Sequence, residues 1–200
     1  MRYRLAASSG DLRINGPVEY ILANAATINT GGRYARFRGE AEQTLPLADW
    51  NFLSVRVSGQ LASRNLDSSE KFILGGFNGI RAYPEGEAAG DNAWLARLDW
   101  VVPLRLGRSP GAAAVRAFVD TGAVWIVDNT RGGRAAPGFR NHYSLSGAGA
   151  GFNWNLPRGF ALSAYVARSI GDNPGASASG NNADGRDSDV RGWVGVEWAF

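Results

Sequence analysis

Between Arg33 and Leu45 the chain changes chemistry at every step, with Ala35, Phe37 and Ala41 in one set of alternate positions and Arg36, Arg38, Glu40 and Glu42 in the other. Successive side chains of a strand point to opposite faces, so this reads as a strand that is apolar on one side and charged on the other. Charges of both signs on one strand face cannot form the dry core of a soluble sandwich unless all are paired. Trp50 to Ala62 repeats the pattern, with Leu53, Val55, Val57 and Leu61 alternating with Ser54, Arg56, Ser58 and Gln60. One face of such a sheet is greasy and the other wet, which a transmembrane β-barrel accommodates.

Further strands are expected at Val18 to Ile28, Ala93 to Val102, Ala113 to Ile126, Tyr143 to Asn155, Phe160 to Ser169 and Val190 to Phe200, with a frayed one near Arg2 to Ala7. Helical periodicity is nearly absent. The connections alternate in length: Pro46 to Asp49 and Pro157 to Gly159 are tight and Leu104 to Ala112 is somewhat longer, whereas Asn65 to Asp91, Val127 to His142 and Gly171 to Asp189 are long and polar. Long loops at one end and short turns at the other fit an outer-membrane barrel. The short link Asn29 to Gly32 breaks the rule. Trp50, Trp94, Trp100, Trp125, Trp154, Trp193 and Trp198 fall mostly near strand ends, as an interfacial aromatic girdle requires.

No stretch approaches the ~18 apolar residues of a transmembrane helix. The mean hydropathy of −0.21 fits a soluble protein and a barrel equally well, since a barrel turns only every second residue to lipid, so composition alone does not decide. The absence of cysteine removes disulfides, zinc–thiolate sites and thiol catalysis. The basic residues are almost all arginines scattered singly, with no stripe for nucleic acid. The lone His142 lies near no nucleophile motif, and no phosphate-binding glycine pattern opens a helix, so no enzyme, cofactor or metal is expected. Asn181 to Asp189 has oxygen ligands and a glycine but lacks the closing glutamate of a calcium loop, and reads as a solvated surface loop.

The most distinctive segment is Lys71 to Asp91, K-F-I-L-G-G-F-N-G-I-R-A-Y-P-E-G-E-A-A-G-D. Its glycines allow a sharp fold-back with Arg81 near the tip. The string F-x-L-G-G-x-x-x-I-R-A-Y, followed by P-x-G-E and G-D, resembles the loop shared by the transporter subunits of two-partner secretion, the hemolysin secretion/activation family of the outer-membrane insertase superfamily. Ala82 stands where many members have glycine. In that family the loop enters the barrel from outside and its arginine meets an F-x-D-x-G motif on the inner wall, which this chain carries as Phe118-Val119-Asp120-Thr121-Gly122.

The resemblance implies an all-β fold, an antiparallel transmembrane barrel of which residues 1–200 are the C-terminal half, about eight or nine of roughly sixteen strands. No signal-peptide pattern follows Met1-Arg2-Tyr3-Arg4, and the resemblance implies early strands and periplasmic polypeptide-transport-associated domains upstream. It further implies a latch between Arg81 and Asp120, with Gly75, Gly76, Ile80 and Tyr83 shaping the loop and Phe118 and Gly122 the wall. Arg36, Arg38, Glu40, Glu42, Arg56 and Arg116 would line the lumen. Gly147, Gly149 and Gly151 share one face and would leave room for the loop. Trp198 and Phe200 close an alternating row that resembles the signal read by the outer-membrane assembly machinery. The implied activity is ATP-independent secretion of a hemolysin- or adhesin-like client across the outer membrane. Insertion of membrane proteins, as in other branches of the superfamily, is the alternative, and a barrel enzyme is a more distant one.

Overall fold

The computed structural model describes residues 1–105, 107, 111–128 and 140–199. Along the chain run β1 (Arg2–Leu12), α1 (Val18–Ala26), β2 (Gly32–Ala48), β3 (Asn51–Ala62), β4 (Phe72–Ile73), β5 (Ala89–Gly90), β6 (Asn92–Leu104), β7 (Ala112–Trp125), β8 (His142–Asn155), β9 (Phe160–Ser169) and β10 (Val190–Trp198). Eight of these strands form one sheet in the order β1-β2-β3-β6-β7-β8-β9-β10, while β4 and β5 pair within the long loop. Every neighbour in the large sheet is antiparallel. Among the described residues the sheet does not close on itself, so the fold is a partial transmembrane barrel whose outer strands, β1 and β10, each have one edge unpaired there.

One expected strand is a helix. Val18 to Ile28 folds mainly as α1, and the supposedly frayed first strand runs the full length of β1 and pairs with β2 from Arg2↔Glu42 to Leu12↔Gly32. Pro17, with φ −55°, starts the helix in the position where a missing N–H costs least. Val18, Ile21, Leu22 and Ala25 then recur at helical spacing. Asn24 ties off its end, donating to Thr30 Oγ1 at 3.1 Å and accepting from Thr30 N at 3.2 Å. The whole segment 13–31 is therefore a long connection, and the apparent exception at Asn29 to Gly32 disappears. Long and short links alternate along the sheet.

The alternation read from the sequence sorts the faces. Phe37, Val57, Leu61, Leu98, Trp100, Val115, Val119, Val166, Val194 and Val196 are exposed on the outer face. Two hydroxyls that fall on this face, Thr121 and Ser146, lie opposite each other on β7 and β8 and bond at 2.8 Å, which removes most of their cost against lipid. Trp50, Trp94, Trp100, Trp125 and Trp198 are also exposed, and Trp198 stacks on Phe160. Trp193 departs from the expected girdle and points inward. Phe200 lies outside the described residues.

The buried core forms where the loop meets the wall, from Leu74, Ile80, Ala82 and Tyr83 on one side and Leu95, Phe118, Val124, Tyr143, Leu145 and Ala167 on the other. The register can be checked by labelling. Cysteines at Arg36, Arg38, Glu40 or Arg56 should react with a small charged thiol reagent, and cysteines at Phe37, Val55 or Val57 should be protected by lipid. Equal labelling of the two sets would overturn the register, because a slip of one residue exchanges the faces.

Candidate functional site: the loop–wall junction

The loop is anchored at its stem before it turns. Asp91, fully buried, accepts from Leu66 N at 3.1 Å and Lys71 Nζ at 2.8 Å through Oδ1, and from Asp128 N at 2.9 Å through Oδ2. From the wall, Gln60 donates to Glu70 O and Asp91 O at 3.1 and 3.0 Å. Arg38 reaches the carbonyls of Glu70 and Lys71, and Arg36 pairs with the Glu70 carboxylate. Backbone bonds from Gly75 N to Glu87 O, Gly76 N to Tyr83 O and Ile80 N to Leu74 O then close the hairpin tip. Two glycines are required here. Gly76 sits at φ +117°, and a Cβ on Gly79 would lie 1.9 Å from Leu74 O.

This fold-back places Arg81 on the inner wall with no exposure at all. Its guanidinium donates to both oxygens of Asp120, Nε to Oδ2 at 2.8 Å and Nη2 to Oδ1 at 2.7 Å, while its backbone N–H donates to the same Oδ2 at 3.0 Å. The two-point geometry uses the planar fork that distinguishes arginine from lysine. Nη1 donates to Asp99 Oδ1 at 2.9 Å, and Arg81 O accepts from Trp193 Nε1 at 2.7 Å. The ring of Phe118 lies under the guanidinium carbon, 3.4 Å from centroid, and Tyr165 flanks it at 5.2 Å. Burial removes the hydration of the cation; paired carboxylates and an aromatic face replace it.

The wall motif meets the loop here, with Phe118 as platform and Gly122 giving way to Leu74, whose Cδ2 would lie 2.9 Å from a Cβ there. Gly147 explains Ala82: a Cβ on Gly147 would sit 2.4 Å from Ala82 Cβ. The loop carries the methyl and the wall omits it. Gly149 likewise leaves space for Phe118, and Gly151 for Tyr165. Tyr83 is buried, and that burial, aided by the Glu87 carboxylate, pushes its hydroxyl up to about 12, so it packs as a neutral wedge. Outside the tip, Glu87 Oε2 accepts from Ala183 N at 2.7 Å, tying the outer loop 171–189 to the hairpin.

Asp99, Arg97, Trp193, Tyr165 and Phe77 join the site without having been singled out. The first two were visible in principle, because alternation in β6 sets Arg97 and Asp99 against the outward Trp94, Leu98 and Trp100. Phe77 packs on Tyr165 and Trp193 at 5.2 and 6.2 Å. All six residues expected along the lumen lie on the loop-bearing face. Arg56 bridges Glu40 and Glu42 at 3.5 and 3.3 Å, and Arg116 reaches Asp99 at 3.3 Å. The register places Arg2, Glu42, Arg56, Arg97 and Asp120 in one charged row across five strands. A cavity of about 320 Å³ lined by Arg56, Arg97, Asp99, Arg116, Phe77 and Tyr165, among others, lies beside the loop tip.

In the segment 181–189, Asp184 pairs with Arg191 at 2.6 Å, and Asn182 N donates to Arg186 O. No group of three or more His, Cys, Asp or Glu suited to a metal occurs among the described residues. His142 stacks on Trp125 at the end of its strand, 4.4 Å between ring centroids.

An open antiparallel sheet, apolar on one face and holding a hairpin on the other, is the architecture of part of a transmembrane β-barrel. The chain belongs to the Omp85 superfamily, whose domain matches residues 20–180. Among curated proteins it is similar to the heme/hemopexin transporter protein HuxB of Haemophilus influenzae. The strain 86-028NP protein is 27% identical over 137 residues, covering 68% of this chain and 23% of the relative. The protein of strain ATCC 51907 / DSM 11121 / KW20 / Rd is 28% identical over 148 residues, covering 74% and 24%. The chain therefore spans about a quarter of the length of these relatives.

Proposed function

We propose that this chain is the loop-bearing part of an outer-membrane transporter of two-partner secretion, which passes a large unfolded partner protein to the cell exterior without ATP. The observation that carries the reading is the burial of Arg81 between Asp120 and Asp99, because a fully buried cation at the end of a long polar hairpin makes sense as a device that docks the hairpin inside the barrel. Arg81 and Asp120 are the latch. Gly75, Gly76, Ile80 and Tyr83 shape the part that moves, and Phe118 and Gly122 the part that receives it.

Displacement of the hairpin opens a lumen lined by Arg36, Arg38, Glu40, Glu42, Arg56 and Arg116. Charges of both signs keep that surface wet and offer an unfolded client few apolar sites to adhere to. Folding of the client outside supplies direction. The client is of the hemolysin or adhesin kind, and the names of the relatives add heme or hemopexin to the cargo worth testing. Strands and periplasmic domains upstream complete the barrel and receive the client, and the alternating final strand ending in Trp198 and Phe200 is the address read by the assembly machinery.

Expression of the full-length protein with candidate clients in a Gram-negative host tests this. The transporter should fractionate with outer membranes, migrate differently after heating, and release a client into the medium. Accumulation of newly assembled membrane proteins, with every client retained inside, would replace secretion by insertion.

A further inference from the structure

The docked junction holds more arginine than Asp99 and Asp120 require. Three guanidiniums face these two carboxylates. Arg81 comes with the loop, but Arg97 and Arg116 stand on the wall strands themselves. Arg97 is the cross-strand partner of Asp120, its side chain is nine-tenths buried, and its Nε lies 3.5 Å from Asp120 Oδ1. Arg116 Nη1 lies 3.3 Å from Asp99 Oδ1. Both contacts are longer than those made by Arg81, and the Nε atoms of Arg97 and Arg116 are buried without a hydrogen bond. Buried donors left in that condition are rare and costly.

Their other contacts indicate what each is waiting for. Arg97 Nη1 donates to Asn78 O, a loop carbonyl, at 3.1 Å. That donor becomes free when the loop leaves. On its other side Arg97 faces Arg56, which is engaged by Glu40 and Glu42, so the carboxylates within its reach are those of the latch. Both wall arginines line the same 320 Å³ cavity and have space to reorient.

We propose that Arg97 and Arg116 are standby counter-ions, which take over Asp120 and Asp99 as Arg81 withdraws. Loop release is then an exchange of ion pairs. Without the exchange, Arg81 would begin to withdraw from Asp99 and Asp120 while they are still covered by the loop and held by Arg97 and Arg116 only through longer contacts, so the first step, before lumen water reaches them, would carry the cost of an underpaired buried charge. With it, the carboxylates remain paired and two unsatisfied Nε donors gain acceptors, so docked and withdrawn loops come close enough in free energy for a client to shift between them. The inference rests on the transporter reading, in which the hairpin leaves the wall.

The test uses the full-length protein in its membrane with a Leu74→Cys reporter. Leu74, on the hairpin, is fully buried against the wall and residues 1–200 contain no cysteine, so with any cysteines elsewhere in the full-length protein replaced, the labelling rate of the thiol introduced at position 74 reports the withdrawn state. Arg81→Ala should raise that rate; if it does not, the latch reading fails by itself. Arg97→Gln and Arg116→Gln should each slow labelling by about tenfold or more, with secretion falling in parallel, because withdrawal now strands a carboxylate. Arg97→Lys, which keeps the charge, should restore much of the rate. Arg116→Gln carries the test should Arg97→Gln prevent assembly, since that guanidinium bonds to Asp99 and not to the loop. Glutamine variants that label at the parental rate or faster, while Arg81→Ala still accelerates labelling, would overturn the exchange and leave the latch standing.

Discussion

Arg81→Ala should reduce secreted client per assembled transporter by at least about tenfold while leaving the barrel folded, because truncating one partner of a buried ion pair costs roughly 3–5 kcal/mol and the loss falls on the docked loop. Asp120→Ala removes the same contacts from the other side, including the acceptor of the Arg81 backbone N–H. The two single variants should look alike. The double variant should be little worse than either, since the shared interaction is lost at the first substitution. Strictly additive losses in log activity would mean that the residues act independently, and the latch would have to be abandoned. A charge swap should recover only part of the activity, because an arginine on β7 cannot reproduce the two-point fork seen at Asp120.

The second large effect concerns a single methyl group. A Cβ on Gly147 would lie 2.4 Å from Ala82 Cβ, so Gly147→Ala should force the loop off its seat. Overpacking of this kind costs about 1–3 kcal/mol, which lowers the docked-to-withdrawn ratio by roughly 5- to 150-fold. Ala82→Gly in the same chain removes the opposing methyl and should restore docking. Thiol reactivity in the Leu74→Cys background reads both outcomes. If Ala82→Gly fails to rescue Gly147→Ala, the close approach of loop and wall is not the reason for the glycine. The pair also accounts for the alanine after the arginine, since Ala82 has no positive φ and its space is supplied from across the junction.

The strands β2, β3, β6, β7, β8 and β9 were legible because period-two alternation is a direct imprint of a sheet with lipid on one side and water on the other. The stretch around α1 was not, since its short, mostly apolar run fits a strand as well, and the helical spacing of Val18, Ile21, Leu22 and Ala25, with Pro17 before it and Asn24 near its end, decides for the helix only in the structure. The loop and wall motifs were legible as two strings far apart in sequence. What joined them to Asp99, Arg97 and Trp193 was register: Arg97 meets Asp120 because β6 and β7 pair at that offset, and Trp193 reaches Arg81 O across 112 positions of chain. Alternation tells which face a residue occupies. It does not tell how far along the neighbouring strand its partner sits.

The location of the buried core has a further consequence. Leu74, Ile80, Ala82 and Tyr83 are packed against residues from which they separate whenever the hairpin withdraws. Loss of docking is expected to impair secretion, as in Arg81→Ala, but packing tighter than the native contact would raise resistance to heat and also slow withdrawal of the hairpin, because both are governed by the free energy of one contact. Selection for a hardier protein at this surface is therefore selection for a slower one, and gains in robustness without that penalty have to come from the lipid-facing side of the sheet or from its turns.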